Sequence, residues 1–150
     1  KGKNYEDSYV MHFIVANAEK VLCTDHRFYH YLQHSTSIMH SSFSESTLDL
    51  DEAIQDCFEF AMSRNEGNEE ARKNLLAGMY SRKMPVVNAM IKSEAASEYT
   101  EYITKLRHEI NPLIVITCPH LDIKEKIKLL LFKFSFRLYK AAYMRFRRFK

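Results

Sequence analysis

The chain has 150 residues and a mass of 17.7 kDa, with 46% apolar and 27% charged residues, which fits one globular domain and excludes wholesale disorder. Three Gly and three Pro leave little material for the repeated tight turns of a sandwich or barrel, so composition favours helices. The net charge of +3 is uneven: residues 1–120 carry 12 Lys and Arg against 17 Asp and Glu, whereas 121–150 carry 10 against Asp122 and Glu125 alone. That asymmetry reads either as a basic last helix docked on an acidic body, or as a basic surface for an acidic partner, anionic lipid or nucleic acid.

In chain order, the first predicted helix runs from Tyr5 to Leu22, with Asn4 as N-cap and Val10, Phe13, Ile14 and Val21 at helical spacing. After Thr24-Asp25 a second helix is expected from His26 to Met39, carrying Phe28, Leu32 and Met39 on one face. Cys23, His26, His30 and His34 there form a Cys-x2-His-x3-His-x3-His run, and imidazoles four apart on a helix can grip zinc. His26 and His34 would lie about 12 Å apart along the axis, so one ion cannot take all three imidazoles. An exposed polar stripe opposite Phe28, Leu32 and Met39 is what amphipathicity alone produces, and no metal or cofactor is assigned to the run.

The Ser-rich stretch 40–47 reads as a loop. A third helix starts near Leu50, turns Ala53, Ile54, Cys57, Phe58, Ala61 and Met62 inward, and stops at Asn65-Glu66-Gly67. Gly67 suits the left-handed backbone position past a helix end. Asn68 then caps a short helix to about Met79, and Pro85 opens the next segment, since a missing N–H costs nothing in a first turn. That segment is expected to run from Val86 through Ala95, Tyr99 and Leu106 to Ile110, where Asn111-Pro112 ends it. Leu113 to Thr117 is β-branched and bounded by prolines, but a lone strand would have no partner, so a short buried helix is preferred.

Leu121 to about Arg148 has no Gly or Pro and reads as one long basic helix. Two apolar stripes lie on its opposite sides. Ile123, Ile127, Leu130, Phe134, Leu138 and Ala141 form one; Leu129, Phe132, Phe136, Tyr139, Tyr143 and Phe146 form the other. Lys126, Lys133, Lys140 and Arg147 recur every seven residues between them. Such a helix must be covered on both sides, either by its own bundle or by another chain.

Cys23, Cys57 and Cys118 are odd in number and far apart, which argues against a disulfide framework. With no Asn-x-Ser/Thr acceptor present, the reading is intracellular, cytoplasmic or nuclear. Lys1 is not an initiator, so the chain is expected to be a piece of a longer protein. No run of roughly 18 apolar residues is available to span a membrane. A Gly-rich phosphate loop, His-Glu-x-x-His, Gly-x-Ser-x-Gly and paired CxxC motifs are all missing. Cys118 beside His120 reads as a turn, and Asp51-Glu52 and Glu69-Glu70 fall in first turns where carboxylates meet the helix dipole. No enzyme is expected.

The resulting expectation is a single all-α domain, a bundle or array of six to seven helices closed by the long basic C-terminal helix. Its expected role is non-catalytic: a protein–protein interaction or self-association module, a homodimer in the simplest case, of a scaffold or regulatory protein. Phe132, Phe136, Tyr139, Tyr143 and Phe146 would be the aromatic anchors, with Lys133, Arg137, Lys140 and Arg147 as the polar rim. The alternatives are a basic helical domain binding nucleic acid, marked by steep salt dependence, and a helical signalling factor of cytokine size.

Overall fold

The structure, a computed structural model, describes residues 5–27, 29 and 43–147, the last by its backbone. Among these residues there are seven α-helices and no strand, so the all-α expectation is met. The helices are α1 (Glu6–Asn17), α2 (Leu48–Ser63), α3 (Glu69–Lys92), α4 (Thr100–Glu109), α5 (Pro112–Thr117), α6 (Ile123–Phe134) and α7 (Phe136–Arg147), with 3-10 turns at Glu45–Thr47 and Ala95–Ser97.

The first helix is shorter than its periodicity predicts. Asn17 ends it, with its side-chain amide donating to the carbonyl of Phe13 at 2.8 Å, and the chain turns extended at Ala18. His26 and Arg27 are not helical, and the rest of the second predicted helix, with His30 and His34, lies outside the described residues. α2 follows the expected pattern, burying Ala53 and Ile54, and Gly67 beyond it adopts φ +84 as its position demands.

α3 corrects the expectation of two helices parted near Pro85. It is one helix of 24 residues with Pro85 inside it, and Asn68 caps it by accepting from the Ala71 N–H at 3.0 Å. An internal proline costs about 3 kcal/mol. Around it, however, Met84, Val86, Val87 and Met90 are wholly buried, and each such side chain contributes about 1.5–3 kcal/mol by leaving water. Packing therefore overrides the local breaker. The run predicted to continue to Ile110 instead breaks after Lys92, where the Ser93 hydroxyl donates to the carbonyls of Ala89 and Met90 and Glu94 takes φ +64.

Leu113–Thr117 lies in α5, as preferred over a strand; Asn111 caps it and Pro112 occupies its first turn. The long C-terminal helix is not observed. Ser135 is extended (φ −150, ψ 98) and divides it into α6 and α7. The cause is a remote residue. The Arg107 guanidinium, on α4, donates to the carbonyls of Phe132 at 3.0 Å, Lys133 at 3.3 Å from Nε and 3.1 Å from Nη2, and Phe134 at 3.4 Å. It thus satisfies carbonyls left without partners at a helix end. The Ser135 hydroxyl restarts the chain by accepting from the Leu138 N–H at 3.3 Å.

α3 is the central element. It packs on α2 along one flank and on α5, α6 and α7 along another, and α1 packs on α2. The core lies where these meet, in Met84, Val87, Met90 and Ile91 with Ile110, Val115, Leu129 and Phe132.

Candidate functional site

The C-terminal segment is where sequence and structure both concentrate positive charge and apolar surface. α6 begins with a reciprocal cap: Asp122 accepts from the Glu125 N–H at 2.7 Å, and the Glu125 carboxylate returns to the Asp122 N–H. This satisfies backbone N–H groups left without partners at the start of the helix.

The aromatic stripe faces inward. Phe132 and Tyr139 are buried in this chain's own core, and Phe136 and Tyr143 are partly buried against it. Phe132 meets Phe136 and Tyr139 edge-on, at 6.1 and 5.3 Å between ring centroids. The Tyr139 hydroxyl donates to Asn88 on α3 at 2.6 Å, and burial, with Tyr143 nearby, pushes its ionisation well above the ordinary phenol range. Of the five expected anchors only Phe146 stands exposed.

Most of the opposite stripe faces outward, Leu130 excepted, which is partly buried against the core. Ile123, Ile127, Phe134 and Leu138 are 69%, 58%, 68% and 61% exposed. Helical spacing places these four on one stripe but does not mark that stripe as the exposed one. Helical spacing places Lys124 and Lys128 along one border of the α6 part and Lys126 and Lys133 along the other. Lys126 and Lys133 also tie α6 down, donating to the carbonyls of Ile116 at 2.9 Å and His108 at 3.2 Å. Arg137 and Lys140 are exposed on α7, and Arg147 closes it. The observed basic rim therefore borders aliphatic side chains and Phe134 rather than the aromatic stripe.

A second polar locus has no counterpart in the sequence reading. Between α2, α3 and α4 lies a cleft of about 470 Å³ lined by Asp51, Gln55, Lys83, Tyr102 and Glu109 among others. Lys83 is 6% exposed and pairs with Asp51 at 3.3 Å while donating to Gln55 at 3.1 Å. The Tyr102 hydroxyl donates to the same Asp51 carboxylate at 2.6 Å, and burial, then the charge of Asp51, raise its ionisation strongly. Tyr80 donates to the Glu109 carbonyl at 2.7 Å. Lys83 and Asp51 neutralise each other, and the phenols are held neutral and bonded, so the cluster ties three helices together rather than presenting a reactive group. The one signal in the sequence was positional: Lys83 falls on the face that buries Tyr80, Met84 and Val87.

Among the described residues no group of three or more His, Cys, Asp or Glu is placed to hold a metal ion, and Cys23 and His26 sit outside any helix. No described helix is long and apolar enough to cross a membrane. Comparison with known protein families, curated proteins and solved structures found no match.

Proposed function

We propose that this domain is a non-catalytic interaction module whose working surface is the outward stripe of α6 and α7, and that it associates with a second copy of itself. What supports the reading is that Ile123, Ile127, Phe134 and Leu138 are all more than half exposed on one basic segment, while the core beneath them is complete without them. Large apolar side chains gathered at a surface and rimmed by charge mark an interaction site. Lys124, Arg137 and Lys140 set orientation at the rim, and the apolar side chains supply the affinity. The nucleic-acid alternative loses its stacking platform, since Phe132 and Tyr139 are buried in the core.

The test is the solution mass by size-exclusion chromatography with light scattering at two concentrations. A mass rising above 17.7 kDa with concentration is expected. Phe134→Glu with Leu138→Glu should weaken association about tenfold or more while helix content by circular dichroism stays unchanged, because both side chains are exposed. A mass of 17.7 kDa at every concentration removes the self-association reading.

A further inference from the structure

We propose that the basic apolar strip of α6 and α7 receives the acidic apolar face of α1 and α2 from a second copy, so that chains associate head to tail. This rests on the self-association reading above and names the second surface it requires. α1 has no buried residue, and Val10, Phe13 and Ile14 are 48%, 49% and 58% exposed. A helix apolar around so much of its circumference is ordinarily covered on more than one side. Among the described residues α2 is the one helix that packs substantially on it.

The side of α1 left exposed among the described residues is bordered mainly by acid. Glu6 stands one turn before Val10, Asp7 is exposed, and residues 43–62, which include most of α2, hold six Asp and Glu and no Lys or Arg. Asp56 and Glu59 are exposed on that helix. α6 and α7 hold eight Lys and Arg against Glu125 alone. Each surface thus sets apolar side chains beside charges mostly of one sign, with Arg64 over the Phe60 ring and Arg82 in the same cleft as Asp7 and Met11 as cations on the acidic side, and the two prevailing signs are opposite.

Topology keeps the two surfaces apart. α3 stands between α2 on one flank and α5, α6 and α7 on another, and no substantial contact joins α1 or α2 to α6 or α7 among the described residues. The faces therefore meet across molecules rather than within one. A two-fold contact would set each strip against itself, basic against basic, which the charge disfavours. Joining unlike faces is a heterologous contact, which continues into chains or closes as a ring.

Two variants, each blocking one face, test this. Ile14→Lys with Asp56→Lys sets two cations into the acidic face; Ile127→Lys with Leu138→Lys interrupts the apolar strip of the basic face. All four side chains are exposed, and circular dichroism checks that helix content is kept. Alone, each variant should remain at 17.7 kDa under conditions where the unmodified chain grows with concentration. Mixed in equal amounts they should form a one-to-one pair of twice that mass and nothing larger, since each supplies the face the other lacks. If either variant alone associates as the unmodified chain does, or the mixture stays monomeric, the head-to-tail contact is wrong while self-association stands. An unmodified chain that is monomeric throughout overturns both. A salt series on the unmodified chain decides independently of any variant: its mass should fall between about 50 and 500 mM salt, and an unchanged or rising mass contradicts the charge pairing.

Discussion

The imidazole of His12 shows how unevenly polar groups are satisfied in this chain. Both ring nitrogens are buried without a hydrogen-bond partner, and the ring touches Phe13 and Phe60 at 4.1 and 5.1 Å between centroids, the two phenyl rings meeting each other at 4.8 Å. Each unmade bond costs about 1–3 kcal/mol, whereas an apolar group of similar shape would lose nothing. His12→Met should therefore stabilise the domain by about 1 kcal/mol, raising Tm by roughly 2–4 °C. A calorimetric scan showing a lower Tm would mean that the ring makes a bond not evident from its surroundings. Lys83 is the contrasting case, since Asp51 and Gln55 meet its ammonium directly and Tyr102 shares the carboxylate. Neither residue could be singled out from sequence. Spacing identifies the face on which a side chain lies, but the partner that satisfies it comes from another helix.

At the scale of elements, helices were legible wherever local signals and packing agreed. Asn68, Gly67 and Asn111-Pro112 mark boundaries because their caps and turns act within a few residues. Pro85 and Ser135 misled in opposite directions. Pro85 is a strong local breaker overruled by the core that α3 buries, whereas Ser135 is a weak signal made decisive by Arg107, a residue 28 positions earlier in the chain. That assignment is testable. Arg107→Ala removes charge-assisted bonds to three carbonyls at the end of α6, and a hydrogen bond to a charged group contributes about 1.5–3 kcal/mol. Solvent at the partly exposed guanidinium reduces this, so a loss of about 1–2 kcal/mol in urea unfolding is expected. Arg107→Lys should not rescue it, because an ammonium cannot reproduce the planar fork. A full rescue by lysine would show that charge alone holds the joint.

Across the whole molecule, the two stripes of the C-terminal segment were readable, but not which of them the core would take. A helical wheel treats both alike; burial does not. Aromatic side chains each remove roughly 150–250 Å² from water, so the stripe of Phe132, Phe136, Tyr139 and Tyr143 packs inward and the mostly aliphatic one is left outside. Inward packing also leaves a titration signature. Burial raises the ionisation of Tyr80, Tyr102 and Tyr139 above the ordinary value of 10.0 in the folded chain. Unfolded, the same phenols lose protons as pH passes about 10, while the folded chain keeps them. The unfolded state then binds fewer protons, so stability is fully present below pH 10 and falls as pH rises above it. Urea midpoints measured from about pH 8 to 11 should decline over the last unit, and the decline should be shallower in Tyr102→Phe and Tyr139→Phe, which remove the titrating groups but keep the rings. A midpoint that stays level to pH 11 would mean that these hydroxyls ionise as freely in the folded chain as in water, and that the aromatic stripe does not lie in the core.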